Sequence, residues 1–188
     1  MIRRATVALA AIVMVIAACS KNEPPPPTPT ATPTATQPAA NTDDGSAARA
    51  AAEAAARAAE AERARLSAVL EEMVNFDYDQ SRIRTDAEQA LQRKIPILRT
   101  NAGVTLRVSG HADERGSVEY NLALGLRRAN AVRDYLGGFG IDASRVSTET
   151  FGEDRPLDRG TSEAAYARNR RAEFVITGGA ANLMAPGR

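Results

Sequence analysis

Hydrophobic and polar positions between Val74 and Gly178 switch repeatedly between two periods. Runs with period two predict half-buried strands, and they lie at 74–79, 104–111, 145–151 and 171–177. Runs with helical periodicity predict helices, and they lie at 85–98, 117–136 and 162–168. The order β-α-β-α-β-(α)-β predicts an α/β fold, more closely an α+β two-layer sandwich with the helices on one face of the sheet.

The same pattern assigns particular side chains to the core and to helix ends. In the first strand, Val74, Phe76 and Tyr78 share the inward face. A capping box at Thr85–Glu88 is predicted to open the next helix, and Pro96 predicts a kink or an early end. The core-facing stripe of the helix after that is predicted to consist of Leu122, Leu126, Ala129, Val132 and Leu136.

The N-terminal residues have the pattern of an export signal. Arginines precede a run at 5–18 that is apolar apart from Thr6 and is shorter than the ~20 residues that a membrane-spanning helix needs. The I-A-A-C motif that ends at Cys19 looks like a bacterial lipobox, in which the cysteine sulfur receives a diacylglyceryl group. We therefore expect a signal peptide at 1–18 and lipidation at Cys19. An ordinary secretory signal followed by an incidental cysteine is the alternative.

Two further segments separate this signal from the α/β region. Residues 19–46 are rich in proline and threonine and hold no aromatic side chain, so they predict an extended tether. Residues 47–73 are rich in alanine, which predicts a helical linker that docks only through its last turn, at Leu66, Val69, Leu70 and Met73. Self-association of this helix along an alanine seam is the alternative. After the α/β region, residues 179–188 are expected to form a flexible tail.

Composition and motifs argue against several classes of function. A formal net charge of +1 and the lack of a Lys/Arg-rich run argue against a nucleic-acid partner. The single cysteine excludes an internal disulfide bond, and lipidation accounts for its presence in an exported protein. The sequence contains neither a G-x-S-x-G nor an H-E-x-x-H motif, so it gives no sign of the common hydrolase and zinc-protease sites.

One segment, GHADERGSVEYNLALGLRRANAV at 110–132, gathers candidate binding residues. Asp113 lies in a loop, and the helix after it carries one flank of residues at helical spacing: Asn121, Leu124, Gly125 and Arg128. A metal or hydrolase site is disfavoured, because His111 is the only histidine of the chain. A plain ion pair and a pocket for a zwitterion, in which Asp113 meets an ammonium and Arg128 a carboxylate, both remain open.

The same segment resembles the OmpA-like peptidoglycan-binding domain, and its H-A-D-E-R-G and E-Y-N motifs are similar to those of the peptidoglycan-associated lipoproteins (Pal) in that family. The motifs FDYDQSRI and EAAYARNRRAEFVI match as well, so the resemblance covers about 74–176. It implies an OmpA-C-like fold, with the helices packed on a mixed four-stranded sheet. It also implies non-catalytic binding of the peptidoglycan stem peptide, chiefly its meso-diaminopimelate, without a cofactor or a metal.

Carried over motif by motif, the resemblance implies roles for particular residues. Asp113 would hold the ammonium of diaminopimelate, and Arg128 would hold its carboxylate. The other members are implied to line or support the same pocket, with Asp77 acting through its backbone; they are Phe76, Asp77, Arg115, Asn121 and Leu124. Where the family frequently has serine, this chain has Gly125, so the resemblance implies no hydroxyl contact at that position.

The resemblance extends to the expected role of the whole chain. It implies a lipoprotein of the outer membrane, facing the periplasm, that tethers this membrane to the cell wall. Ser20, directly after the lipidated cysteine, favours the outer over the inner membrane. TolB is the implied protein partner, within the Tol-Pal system of envelope integrity and cell division. A generic wall-anchoring lipoprotein of the same family without a Tol partner is the alternative.

Overall fold

The computed structural model describes residues 43–187, so the predicted signal peptide, Cys19 and most of the tether lie outside the described residues. The helices are α1 Asp43–Glu71, α2 Thr85–Thr100, α3 Val118–Gly138 and α4 Glu163–Asn169. The strands are β1 Val74–Asn75, β2 Thr105–His111, β3 Val146–Gly152 and β4 Arg171–Gly178. Short 3-10 turns lie at Ala143–Arg145 and Ala180–Asn182. The predicted α/β class and the alternation of strands and helices are confirmed.

The strands form one mixed sheet in the order β1-β4-β2-β3. β2 and β3 run parallel, with Leu106 opposite Val146, whereas β4 runs antiparallel to both β2 and β1. The connection between the parallel strands contains α3, which packs on both of them. Gly110 near the end of β2 pairs with Ala172 near the start of β4, so these two strand ends lie side by side.

The core lies between the sheet and helices α1, α2 and α3. Most of the predicted core-facing stripe of α3 is found there. The predicted core position of Leu126 is wrong, since its side chain is 39% exposed and Leu124 is buried instead. The reason is a close backbone contact between α3 and β2. A Cβ atom added to Gly110 would lie 1.8 Å from the carbonyl oxygen of Gly125. This approach of two glycines turns the Gly125 flank of α3, rather than Leu126, toward the sheet.

The first predicted strand is correct only at its start. Val74 and Phe76 are buried as predicted, but β1 ends at Asn75 and Tyr78 is 56% exposed. The chain turns here, because the N–H of Gln80 donates to the carbonyl oxygen of Asp77 at 3.2 Å. The turn takes the side chains that follow it out of the strand alternation, so the predicted inward position of Tyr78 is wrong.

Helix α2 begins and ends differently from the prediction. The capping box at Thr85–Glu88 is wrong, because the N-cap residue is Arg84, whose side chain makes no capping hydrogen bond. The helix also continues past Pro96 to Thr100. Proline removes the bond to the carbonyl oxygen of Gln92, but both residues are exposed, so water can satisfy that carbonyl.

Helix α1 docks through its C-terminal part. Residues 45–61 are exposed, whereas Leu66 and Leu70 are buried in the core. The predicted docking is therefore seen at these leucines, but Met73 is 44% exposed and its predicted place on the docking face is wrong. No helix within residues 43–187 has the length and apolarity needed to span a membrane.

A buried lysine holds the end of α1. The Lys94 ammonium is fully buried and donates to the carbonyl oxygens of Val69, Leu70 and Glu72 at 2.7, 3.0 and 2.7 Å. The last carbonyl groups of a helix have no partner within the helix, so Lys94 supplies one from α2. Burial lowers the pKa of Lys94 from 10.5 to about 7, against the opposing effect of Glu72.

The segment after β4 is packed on the domain as far as Met184. Leu183 is 6% exposed and belongs to the core. The Asn101 side chain accepts from the backbone N–H of Met184 and donates to its carbonyl oxygen, both at 2.8 Å. The description as a flexible tail from residue 179 onward therefore does not hold for residues 180–184.

Candidate functional site

A small pocket lies beside the carboxyl end of β2, next to the turn after β1 and the first turns of α3. Its volume is about 130 Å³. Pockets that enclose drug-sized ligands are about 300–1,000 Å³, so this one admits a single head group. The residues that line it are Tyr78, Asp79, Ala112, Asp113, Arg115, Gly116, Tyr120, Asn121, Leu124 and Arg128.

Asp113 is a carboxylate that is only 4% exposed and is held by two arginines. Arg115 donates from Nε to Oδ1 at 3.1 Å and from Nη2 to Oδ2 at 2.7 Å. Arg170 donates from Nη1 to Oδ2 at 3.1 Å. Burial on its own raises the pKa of Asp113, but the hydrogen bonds from Arg115 and Arg170 outweigh it and lower the pKa below its usual value. Asp113 is therefore negatively charged at neutral pH.

The Arg128 guanidinium forms the floor of the pocket and is fully buried. It donates to the backbone carbonyl oxygens of Gln80, His111 and Asp77, at 2.8, 2.7 and 3.1 Å. Arg128 thereby joins the turn after β1 to the end of β2. Burial, followed by the charge of Arg170, lowers the pKa of Arg128 to about 10, which still leaves it positively charged at neutral pH.

The structure brings most of the predicted ligand-binding residues to this pocket; they are Asp113, Arg115, Asn121, Leu124 and Arg128. Phe76 lies behind the pocket, with its ring centroid 5.2 Å from the guanidinium carbon of Arg128. The Asp77 carboxylate lies outside it, because it accepts from Nη1 of Arg84 at 2.9 Å and borders a separate depression. Asp77 contributes only its backbone carbonyl, which supports Arg128.

Sequence reasoning missed the aromatic and acidic residues of the turn after β1. Tyr78 and Asp79 line the pocket, two positions beyond the predicted Phe76 and Asp77. In the sequence F-D-Y-D, an aromatic residue followed by aspartate occurs twice, as Phe76-Asp77 and as Tyr78-Asp79. Because β1 ends at Asn75, the second pair lines the pocket and the first does not. Asp79 has the left-handed φ of 55°, which aspartate tolerates better than most residues.

Tyrosines surround the entrance of the pocket. The Tyr120 hydroxyl donates to Asp79, and this hydrogen bond raises the pKa of Tyr120. The guanidinium of Arg115 lies 4.1 Å from the ring centroid of Tyr78 and 4.5 Å from that of Tyr166. Arg115 also pairs with Glu163 at 3.2 Å, and its side chain is 33% exposed. Arg115 is therefore the pocket cation that solvent reaches most easily.

The departure from the family pattern at Gly125 has a structural reason. A Cβ atom added there would lie 2.3 Å from Oγ1 of Thr150 and 2.8 Å from the carbonyl oxygen of Gly110. Thr150 Oγ1 donates to the carbonyl oxygen of Leu122 at 3.0 Å. The Thr150 hydroxyl therefore occupies the place that a serine side chain at position 125 would need.

His111 does not line the pocket. Its ring is 1% exposed, its nitrogens have no hydrogen-bond partner among the described residues, and its centroid lies 5.5 Å from that of Phe151. Nε2 lies 3.7 Å from Oε2 of Glu173. Residues 43–187 contain no group of three or more His, Cys, Asp or Glu side chains placed to hold a metal ion.

Known proteins resemble the part of the chain that builds this site. A family model described as the OmpA family matches residues 75–170, about half of the chain. The peptidoglycan-associated lipoprotein of Agrobacterium fabrum is 46% identical over 103 residues, which cover 55% of this chain and 58% of the relative. That of Brucella melitensis is 43% identical over 103 residues and 61% of its length. The matched region thus spans about six tenths of these curated relatives.

A solved structure agrees with the fold. The crystal structure of the peptidoglycan-associated lipoprotein from Burkholderia pseudomallei is 35% identical, with a TM-score of 0.55. The match covers 56% of this chain and 90% of that one. The matched part of the solved chain is nearly complete, so the similarity concerns a whole folded domain.

Proposed function

The chain belongs to the OmpA family, and from this premise we propose that it binds the stem peptide of peptidoglycan, without catalysis, through the diaminopimelate residue of that peptide. The observation that carries the proposal is one small pocket that contains both the Asp113 carboxylate and the Arg128 guanidinium. The similarity to relatives named peptidoglycan-associated lipoproteins supports the choice of ligand.

The side-chain end of diaminopimelate carries an ammonium and a carboxylate on one carbon. Such a head group matches a pocket that holds fixed charges of both signs, because each ligand charge gains a charge-assisted hydrogen bond. Arg128 uses three of the five N–H groups of a guanidinium on backbone carbonyls, which leaves donors for a carboxylate. A lysine side chain has the ammonium alone, so the pocket would favour diaminopimelate over lysine.

Entry of the ammonium requires a change at Asp113. Its carboxylate already accepts from the backbone N–H, Nε and Nη2 of Arg115 and from Nη1 of Arg170. These donors fill the roughly four acceptor sites of a carboxylate. Because the Arg115 side chain is partly exposed and has Glu163 as a second partner, it is the group that yields its place to the ligand.

The role that we propose for the whole chain is attachment of the outer membrane to the cell wall. Acyl chains on Cys19 would hold the N-terminus in the periplasmic leaflet of that membrane, where two or more chains give lasting attachment. Residues 19–46 would act as the tether, and the folded domain would face the periplasm. Participation in the Tol-Pal system through TolB rests on similarity to the Pal relatives, and co-purification of TolB with the chain tests it.

The binding proposal is tested by titrating the protein with a diaminopimelate muropeptide and with the same muropeptide carrying lysine. Asp113→Asn should weaken binding of the first by about ten- to a hundredfold, since one hydrogen bond to a charged group contributes about 1.5–3 kcal/mol. Arg128→Lys should remove most of the preference for diaminopimelate. Circular dichroism checks that each variant is folded.

Arg127→Ala is the matched control, because Arg127 adjoins Arg128 on α3 but is exposed and does not line the pocket. Its binding should stay close to that of the wild type. An Arg128→Lys variant that still distinguishes the two muropeptides as well as the wild type would show that the carboxylate is recognised elsewhere. Release of muropeptides from isolated wall by the purified protein would contradict the non-catalytic role.

A further inference from the structure

Arg170 lies behind Asp113 and is absent from the residues that line the pocket; it is 6% exposed. Its guanidinium joins three parts of the fold. Nε donates to the carbonyl oxygen of Phe76 at 3.1 Å, Nη1 to Oδ2 of Asp113 at 3.1 Å, and Nη2 lies 2.8 Å from Oε1 of Glu163. The Arg170 backbone N–H also donates to the carbonyl oxygen of Tyr166 at the end of α4. These contacts hold the planar guanidinium in one orientation.

Arg115 holds the same carboxylate in a different way. It belongs to the loop of Asp113, and its side chain is 33% exposed at the pocket entrance. A ligand ammonium that reaches Asp113 from the pocket therefore competes with Arg115, whereas Arg170 approaches Asp113 from the protein interior. When the Arg115 side chain is displaced, Arg170 is the arginine that stays bonded to Asp113 among the described residues.

We propose that Arg170 is a positioning residue for ligand binding, which keeps the Asp113 carboxylate charged and correctly oriented while Arg115 gives way to the ammonium. This inference rests on the proposed function, because it concerns the same pocket and the same ligand charge. Arg170 acts through Asp113 and does not touch the ligand. Its bond to Phe76 also steadies the turn that carries Asp79, the other carboxylate of the pocket.

The physical reason is the burial of Asp113. A carboxylate that is 4% exposed loses most of its hydration, and this loss favours the neutral, protonated form. Hydrogen bonds from Arg115 and Arg170 at present reverse that preference and keep the pKa of Asp113 low. A chain without Arg170 would depend on Arg115 alone, so displacement of Arg115 would leave a carboxylate that protonates more readily and attracts an ammonium less.

The test measures the affinity of the full-length protein for a diaminopimelate muropeptide from neutral pH down to about pH 4. Arg170→Gln should bind about tenfold more weakly at neutral pH, as expected for loss of one charged hydrogen bond partner. Its affinity should also begin to fall at a higher pH than that of the wild type, because Asp113 takes up a proton sooner. Arg170→Lys restores the charge and should recover part of the affinity and most of the pH profile.

Arg171→Gln is the matched control. Arg171 is the next residue and is also buried, at 2% exposed, but it donates to the carbonyl oxygens of Asn169 and Arg155 and to Glu173. Per folded molecule, this variant should keep the affinity and pH profile of the wild type. A variant that is less stable but keeps the wild-type pH profile of binding has lost an arginine that only supports the fold. The pH profile of binding therefore distinguishes a positioning role from a folding role.

Each result bears on the inference. Arg170→Gln with wild-type affinity and pH profile would overturn it, and so would an equal change in Arg171→Gln. If Arg170→Gln does not fold, the test rests on Arg170→Lys, in which lysine keeps the charge but cannot reproduce the guanidinium fork. An affinity of Arg170→Lys equal to that of the wild type would then overturn the inference. If the wild type does not bind the muropeptide, the proposed function itself is contradicted. If the wild type binds, Asp113→Asn loses binding and Arg170→Gln keeps it, only this inference is contradicted.

Discussion

Replacement of Lys94 by methionine should loosen the attachment of α1 to the domain. Methionine keeps the length and apolar character of the side chain but removes the donors to the carbonyl oxygens of Val69, Leu70 and Glu72. Three bonds at about 1.5 kcal/mol each amount to about 4.5 kcal/mol, and relief of the buried ammonium's desolvation offsets part of this. We expect Lys94→Met to lower the free energy of unfolding at neutral pH by about 2–3 kcal/mol.

Urea denaturation followed by circular dichroism measures this change, with hydrogen exchange at residues 66–71 as a local readout. Arg93→Met is the matched control. Arg93 is the preceding residue and pairs with the side chain of Glu72 at 2.7 Å, but its own side chain is 52% exposed. A surface ion pair of this kind contributes about 0–1 kcal/mol, so the control should differ little from the wild type.

The dependence on pH provides a second check. Burial lowers the pKa of Lys94 from 10.5 to about 7, so between these values the unfolded chain binds a proton that the folded chain has released. Stability of the wild type should therefore rise with pH across this interval relative to Lys94→Met. If the wild type and Lys94→Met are equally stable at neutral pH and their stabilities change with pH in parallel, the Lys94 ammonium is neither costly to bury nor needed by the end of α1.

Three further outcomes are expected. Cys19→Ser should abolish labelling by a fatty-acid analogue in cells, and label that persists in the variant would contradict lipidation at this residue. Deletion of residues 20–60 should leave a cooperative thermal transition at nearly the same temperature, because 45–60 are exposed; loss of that transition by calorimetry would contradict the proposed domain boundary. Burial lowers the pKa of His111 to about 4. The free energy of unfolding of the wild type should therefore fall by about 2–3 kcal/mol as pH drops from about 6.5 to 4. Urea titrations of His111→Phe should lack most of this fall.

Periodicity predicted the elements well wherever a run was long. The strand from Val104 and the helix from Ser117 lie within a few residues of their predicted bounds. The buried side chains of the helix repeat at the helical period, whereas those of the strand alternate only at its start and are all buried at 108–111. Errors arose where a contact between two elements or a local turn interrupts this period. Leu126 lies outside the core because Gly110 and Gly125 meet, and Tyr78 is exposed because a turn follows Asn75.

The residues of the pocket and their partners were also predicted only in part. Asp113 and Arg128 were found through local motifs, and both belong to the pocket. Arg170 was not found as a partner of Asp113, since 57 positions separate them and no local pattern joins them. Lys94 was missed for another reason: its partners are backbone carbonyl groups, which every residue possesses and which therefore leave no signature in the sequence.

The path of α1 along the sheet has a mechanical consequence. α1 ends three residues before Val74, which pairs with Ala172 on the pocket side, and it also contacts the 3-10 turn at Ala180–Asn182, beyond the opposite end of β4. A pull from residue 43 against a ligand held in the pocket would act along the axis of α1. Such a load would stretch the contacts of Leu66, Leu70 and the Lys94 ammonium together, in shear, instead of peeling them away one after another. The helix would then share such a load among all of its docking contacts.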